Sequence, residues 1–231
     1  MKALLLAAGL GTRLRPLTDD RPKALVEAGG KTLLERNILY LKSQGVTETV
    51  INVHHFGGQI IDFVRQHDFG MSIRISDERE QLLDTGGGLR KAAVFFQGEE
   101  NFLVYNVDVF CDMNLQQMAE THHRQGNLVT MAVRHRPTQR HLIFDADGRL
   151  LRRADEGTKV LSQGEQLAAF SGIHILSTRI FPLLPEEACF PIMPAYLKLT
   201  SGHPIRAYFH DESFWMDMGR PEAIRAYEQR L

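Results

Sequence analysis

From Lys2 to Val107 short apolar runs alternate with stretches of helical periodicity, and this pattern constrains the fold more than any other feature of the chain. KALLLA at 2–7 is apolar on both faces, as a strand buried inside a parallel sheet must be. TLLERNILYLKSQG then sets Leu33, Leu34, Ile38 and Leu41 at helical spacing and stops at Gly45. TETVINV, MSIRIS and NFLVYNV read as further strands, and QIIDFVRQH and GGLRKAAVFF as helices between them. Such alternation predicts an α/β fold with right-handed crossovers. After Asp112 the pattern loosens into LQQMAETHHRQG as a helix, LVTMAVRH, AAFSGIHIL and IRAYFH as strands, and PEAIRAYEQRL as a closing helix. LIFDADGRLLR reads as a hairpin whose Asp147-Gly148 pair suits a type I′ turn. Residues 152–167 are polar and unpatterned, and are expected over the site or at a sheet edge. The expected architecture is one domain over 1–231, a nucleotide-binding half at 1–112 and a second half at 113–231 folded against it.

Composition excludes several classes. At 231 residues, 43% hydrophobic and 24% charged, the chain suits a globular protein with a sizeable core. A net charge of −1 offers no bulk attraction to nucleic acid or an anionic membrane. Cys111 and Cys189 lack metal or disulfide spacing and read as reduced thiols. No apolar run approaches the roughly 18 residues of a membrane span, so the cytoplasm is the expected location.

A glycine turn after an apolar strand points to phosphate, and MKALLLAAGLGTRLRPLTDDRPKAL has such a turn at Gly9 and Gly11. A dinucleotide fingerprint would need a third glycine where Leu14 stands. Gly30-Lys31-Thr32 matches the end of a triphosphate P-loop, but Leu25 stands where its first glycine belongs, so Lys31 reads as a solvated residue. What remains is a cradle in which backbone N–H groups near Gly9 and Gly11 approach phosphate oxygens while Arg13 and Lys23 add positive charge. AAGLGTRLRPLT followed by PKAL resembles the signature of the sugar-1-phosphate nucleotidyltransferase family, which joins a nucleoside triphosphate to a sugar 1-phosphate. DTGGG at 84–88 is similar to the version in enzymes acting on N-acetylmuramic acid 1-phosphate, and the family also includes mannose-1-phosphate guanylyltransferase-like proteins.

Nucleotidyl transfer calls for a divalent cation on hard oxygen ligands, which directs attention to aspartates at strand ends. Asp108 follows the apolar strand FLVYNV, at the edge where open α/β sheets bind ligands. Asp217 sits between an aromatic run and a helix start. The resemblance marks the same two as ligands of Mg2+. The nucleophile would be a phosphate oxygen already ionised at neutral pH, so no general base is needed. Arg13 and Lys23 are the expected catalytic cations, and Ala8, Gly9, Gly11, Thr12, Glu78, Gly86 and Gly87 complete the expected nucleotide site. Glu78 or Glu80 would accept a hydrogen bond from the base, and the glycines at 86–88 would leave helix N–H groups free.

By resemblance Asn106 and Gly172 line the sugar pocket. The resemblance implies a Rossmann-like mixed, mostly parallel sheet flanked by helices. Two departures stand out. Val107 replaces the glycine that many relatives carry before the metal aspartate, adding bulk expected to alter sugar contacts. The Glu-Lys-Pro segment, whose lysine holds the sugar phosphate, is absent and leaves Lys159 as its candidate counterpart. The expected partners are a nucleoside triphosphate and a sugar 1-phosphate. Transfer to a non-sugar phosphate such as phosphocholine, and a nucleotide-binding sensor without turnover, are the alternatives. His54-His55 and His122-His123 lack a third ligand at metal spacing, and Asp145-Ala146-Asp147-Gly148 reads as a turn. Phe214 and Trp215 are expected to pack beside the metal site.

Overall fold

The computed structural model describes residues 1–155, 157 and 161–230. In chain order its strands are β1 (Lys2–Leu6), β2 (Glu27–Ala28), β3 (Lys31–Thr32), β4 (Glu48–Val53), β5 (Ser72–Asp77), β6 (Asn101–Asn106), β7 (Val109–Cys111), β8 (Val129–Arg134), β9 (His141–Phe144), β10 (Leu150–Arg153), β11 (Gln166–Ser177), β12 (Ile205–Phe209) and β13 (Trp215–Asp217). The helices are α1 (Leu33–Ser43), α2 (Gly57–Gln66), α3 (Asp84–Lys91), α4 (Leu115–Arg124), α5 (Ile192–Leu199) and α6 (Pro221–Glu228).

Among the described residues a nine-stranded sheet runs β10-β9-β11-β6-β1-β4-β5, with β8 added on β11 and β12 on β8. Strands β5, β4, β1 and β6 are mutually parallel, as the apolar runs predict. Strand β11 runs antiparallel to β6, β8 and β9 and joins the two halves of the chain through one hydrogen-bonded surface. The sheet is mixed, with most strands in one direction, and helices cover both faces.

Alternation along each strand sorts the core. Leu5, Ile51, Leu103 and Tyr105 face Leu34, Ile38 and Leu41 of α1, Ile60 of α2 and Met118 of α4. Leu4, Val50, Phe102 and Val104 face Leu89 of α3 and Ile192 and Tyr196 of α5 on the other side. A third, smaller cluster of Leu14, Val26, Leu33, Phe110, Met218 and Ile224 lies where the glycine loop meets the chain's last elements. Helix ends carry the expected caps. The Thr32 side chain accepts from Glu35 N at 3.0 Å at the start of α1, Asn114 caps α4, and Pro221 occupies the first turn of α6.

Two local expectations are corrected. The 145–148 turn is not type I′, since only Gly148 has positive φ (75°) and Asp147 does not. The Asp145 carboxylate accepts from Asp147 N and Arg149 N at 3.0 and 2.8 Å, which holds a turn that needs just one left-handed residue. Helix α5 has no counterpart in the sequence reading because Pro191 and Pro194 disguise it. Pro191 is its N-cap and Pro194 falls in its first turn, where a missing N–H costs no helical hydrogen bond. The polar stretch after 152 does begin at an edge, as β10 ends the sheet.

Candidate active site

The site forms at the carboxyl ends of β1, β4, β5 and β6. Leaving β1, the chain presents the N–H groups of Ala7 and Ala8 to Asn52 Oδ1 at 2.7 and 3.3 Å. Asn52 Nδ2 donates to Glu78 Oε1 at 2.9 Å, so one buried amide ties the start of the glycine loop to the segment after β5. Glu78 is buried, and its Oε2 has no protein partner. Burial pushes this carboxyl above the usual carboxylate range, while the Asn52 hydrogen bond works against that shift. That Oε2 is sealed from solvent, and the backbone N–H of Leu83 also favours the charged form of this carboxyl. Glu80 is exposed.

Asn52 is a residue that sequence reasoning missed; its signal was a lone amide inside the apolar strand ETVINV. Replacing it with alanine orphans two loop N–H groups and half of a buried carboxyl. The expected cost for Asn52→Ala is about 2–4 kcal/mol, read as a lowered urea midpoint with unchanged slope. A loss under about 0.5 kcal/mol, the range of an ordinary surface substitution, would overturn this account of the loop.

Gly11 has φ 68°, and a side chain there would meet Thr18 Cγ2 at 3.0 Å and Lys23 Cβ at 3.1 Å. The Thr18 hydroxyl donates to Gly11 O at 2.9 Å and pins the loop as it doubles back. Thr12 and Arg13 begin a 3-10 turn whose side chains face outward, apart from buried Leu14. Lys23 Nζ passes beneath Gly9, 3.6 Å from where a Cβ would stand, and reaches Asp108 Oδ2 at 2.8 Å.

Asp108 and Asp217 lie far apart in sequence and are joined by a ribbon too short for periodicity to reveal. Strands β7 and β13 pair antiparallel with Asp217 opposite Val109, and Met218 N donates to Asp108 O at 2.7 Å. Arg13 stands between the two carboxylates, 3.9 Å from Asp108 Oδ2 and 3.8 Å from Asp217 Oδ2. Gly219 keeps the space among them open. A Cβ on it would lie 2.7 Å from Arg13 Nη2, 2.8 Å from Asp217 Oδ1 and 3.1 Å from Asp108 Oδ2. Two carboxylate oxygens therefore border one small opening, a donor set that suits a hard cation completed by phosphate and water.

Asn106 and Gly172 also come together. Gly172 has φ 79°, and a side chain on it would meet Asn106 Nδ2 and Val109 Cγ2, each at 2.9 Å. It lies in a bulge where the β11–β8 register shifts between Phe170 and His174. The Trp215 indole donates to Ser171 O at 2.9 Å and holds that bulge against β13.

Two site expectations need correction. The Gly86 and Gly87 amides are not free, because both donate to Phe190 O at 2.9 and 3.2 Å. A side chain on Gly86 would collide with Phe190 and one on Gly87 with Ala188 O, so this part of the glycine run serves close packing against 188–190. Gly88 lets helix α3 approach the Asn52–Glu78 pair, since a Cβ there would lie 2.7 Å from Glu78 Oε1. Val107 is buried in the main core and its carbonyl accepts from Asn37 Nδ2 at 2.7 Å; its bulk fills the core and presents no surface to a ligand. Lys159 lies outside the described residues.

The family model for nucleotidyl transferases matches residues 2–231. The chain belongs to the nucleotidyl transferase family. Among curated members it is 34% identical to an N-acetylmuramate alpha-1-phosphate uridylyltransferase of Caulobacter vibrioides, over 99% of this chain and 96% of that protein. It is 33% identical to a mannose-1-phosphate guanyltransferase of Gibberella zeae, over 96% of this chain but 62% of that longer protein. In fold, this nucleotidyl transferase family member matches the crystal structure of HddC from Yersinia pseudotuberculosis with a TM-score of 0.83 at 24% identity, covering 99% of this chain and 98% of that one. Among the described residues no helix is long and apolar enough to cross a membrane.

Proposed function

We propose that this chain is a magnesium-dependent sugar-1-phosphate nucleotidyltransferase, converting a nucleoside triphosphate and a sugar 1-phosphate into a nucleoside diphosphate sugar and pyrophosphate. The observation that carries this reading is the convergence of Asp108, Asp217, Arg13 and Lys23 on one opening beside the glycine loop. Two carboxylates and two cations sum to no net charge. A triphosphate entering among them needs a further positive charge, which is the physical reason for a divalent ion. Asp108 and Asp217 would hold Mg2+, and the ion would supply neutralisation of phosphate charge as pyrophosphate leaves.

The protein groups do the positioning. Glu78 accepts from an N–H on the base edge once movement around it uncovers its sealed Oε2, and the backbone at Ala8, Gly9, Gly11 and Thr12 approaches the phosphates. Lys23 exchanges its Asp108 contact for phosphate oxygens, and Arg13 faces the charge that builds at the α-phosphate. The sugar sits toward Asn106 and Gly172, so that 1–112 supplies most of the nucleotide side and 113–231, joined by Asn106, the sugar side of a single unit. The names of the curated relatives favour a sugar acceptor over phosphocholine, and they include both uridylyl and guanylyl transfer.

A pyrophosphate-release assay tests this, crossing the nucleoside triphosphates with mannose 1-phosphate, glucose 1-phosphate, N-acetylmuramic acid 1-phosphate and phosphocholine. Release is expected for at least one sugar pair with magnesium and none with excess chelator. Silence across every pair would favour the sensor reading, and release with phosphocholine alone the non-sugar one.

A further inference from the structure

The acceptor's phosphate calls for a cation, the Glu-Lys-Pro segment is absent, and its candidate counterpart Lys159 lies outside the described residues. Arg134, the last residue of β8, and Arg136, two residues beyond it, stand over the ring of Trp215, Arg136 at 4.6 Å and Arg134 at 5.9 Å from its centroid. They differ in what they have left to give. Arg134 donates through Nη1 to Ser213 O and through Nη2 to Asp211 O, clipping the 211–213 loop. Arg136 donates through Nη2 to Phe170 O at 3.1 Å, while its Nε is sealed from water without an acceptor. A ligand cannot reach that sealed Nε, but Nη1 is not sealed and no described protein acceptor meets it, so one edge of the guanidinium is left to give.

Its position is specific. Trp215 and Asp217 are two residues apart on β13 and share one face, so the cation stacked on the indole lies on the Asp217 side of the ribbon. Burial pulls the Arg136 guanidinium below its ordinary pKa, and the Asp217 carboxylate is near enough to oppose that pull. On its other side Arg136 is bonded to Phe170, which leads into Ser171 and Gly172 and so to Asn106. The side chain thus bridges from the carboxylate proposed for the metal to the pocket proposed for the sugar. A sugar 1-phosphate bound for in-line attack has its phosphate between those two places. A planar guanidinium held on an aromatic ring, with its Nη1 edge uncommitted, is side-chain chemistry suited to a phosphomonoester.

We infer that Arg136 is the residue of this chain that binds the phosphate of the incoming sugar 1-phosphate. The inference rests on the nucleotidyl-transfer reading above. In steady-state assays Arg136→Ala raises the KM for the sugar 1-phosphate at least tenfold and leaves the KM for the nucleoside triphosphate within twofold. Arg136→Lys recovers part of the loss. A purely structural role for Arg136 would move both KM values together, or neither, and would overturn the inference.

A second readout does not depend on turnover. Trp215 is the chain's single tryptophan, so its fluorescence reports directly on the ring under Arg136. Titration with mannose 1-phosphate and with N-acetylmuramic acid 1-phosphate should change that emission, whereas the corresponding unphosphorylated sugars should not. Calorimetric titration of Arg136→Ala, which does not rely on the ring, should show the same ligands binding at least tenfold more weakly. If no substrate pair releases pyrophosphate but the phosphate-dependent signal is present and lost in Arg136→Ala, the enzymatic reading fails and this inference stands. Equal binding by wild type and Arg136→Ala, or no phosphate-dependent binding at all, overturns it.

Discussion

Asp108→Asn is expected to lower turnover by at least about a thousandfold, equivalent to roughly 4 kcal/mol of lost transition-state stabilisation, while the protein remains folded. Asparagine has nearly the same shape and keeps one oxygen for Lys23 Nζ, which lies 2.8 Å from Asp108 Oδ2. It removes the negative charge that would hold the cation. The Asp108 side chain is largely buried, so the substitution also costs stability, about 1–3 kcal/mol for a charge-assisted hydrogen bond reduced to a neutral acceptor. Asp217→Asn separates the two effects. Its side chain is 44% exposed and its nearest cation is Arg13 at 3.8 Å, so turnover should fall comparably with little change in unfolding midpoint. The measurement is single-turnover pyrophosphate release, with circular dichroism and urea unfolding on the same preparations. Turnover within tenfold of wild type in the Asp108 variant would remove Asp108 from the metal site.

The halves of the chain differ in how much of this could be read beforehand. Strands β1 and β6 announce themselves as near-continuous apolar runs, and β4 and β5 as short β-branched segments flanked by helical periodicity. The glycine loop and Asp108 can be proposed from sequence on chemical grounds, since phosphate and a counter-ion would call for particular residue types at strand ends, and Asp217 through the family resemblance. What escaped notice depends on contacts between distant segments. The β7–β13 ribbon has three residues per strand and no period to detect, although it is what sets Asp217 against Asp108. Gly219, Gly88 and Asn52 each look unremarkable in their own segments, and their meaning comes from neighbours met only on folding. The Gly86-Gly87 amides were misjudged because the carbonyl that occupies them comes from Phe190, beyond the two strands β8 and β11.

Three buried histidines make the second large prediction, a steep loss of stability as pH falls from 7 to 5. His122 is pinned between Thr130 Oγ1 at 2.9 Å and Asn101 Oδ1 at 3.1 Å, and burial lowers its pKa to about 4. His174 meets the Tyr196 hydroxyl at 2.9 Å inside the core, and burial lowers it to about 3. His210 lies between Ser171 Oγ at 2.7 Å and Ser213 Oγ at 2.9 Å, and burial lowers it to about 4. Each binds its proton more weakly folded than unfolded, where the value is about 6.5. Their contribution is therefore whole above that value and is lost as pH falls from it toward the folded pKa, by about 2 kcal/mol apiece at pH 5. Glu78 acts in the opposite sense, because its raised pKa lets the folded state take up a proton earlier. A net loss on the order of 5 kcal/mol is a large share of the 5–15 kcal/mol typical of a folded domain. Urea unfolding at pH 7.5, 6 and 5 measures it, and equal stability at all three would show that these histidines titrate normally. Because His210 supports Ser171, whose carbonyl holds Trp215, its protonation should loosen the Arg136 side of the site before the whole sheet gives way. The emission of Trp215 should accordingly shift at a higher pH than the far-ultraviolet circular dichroism.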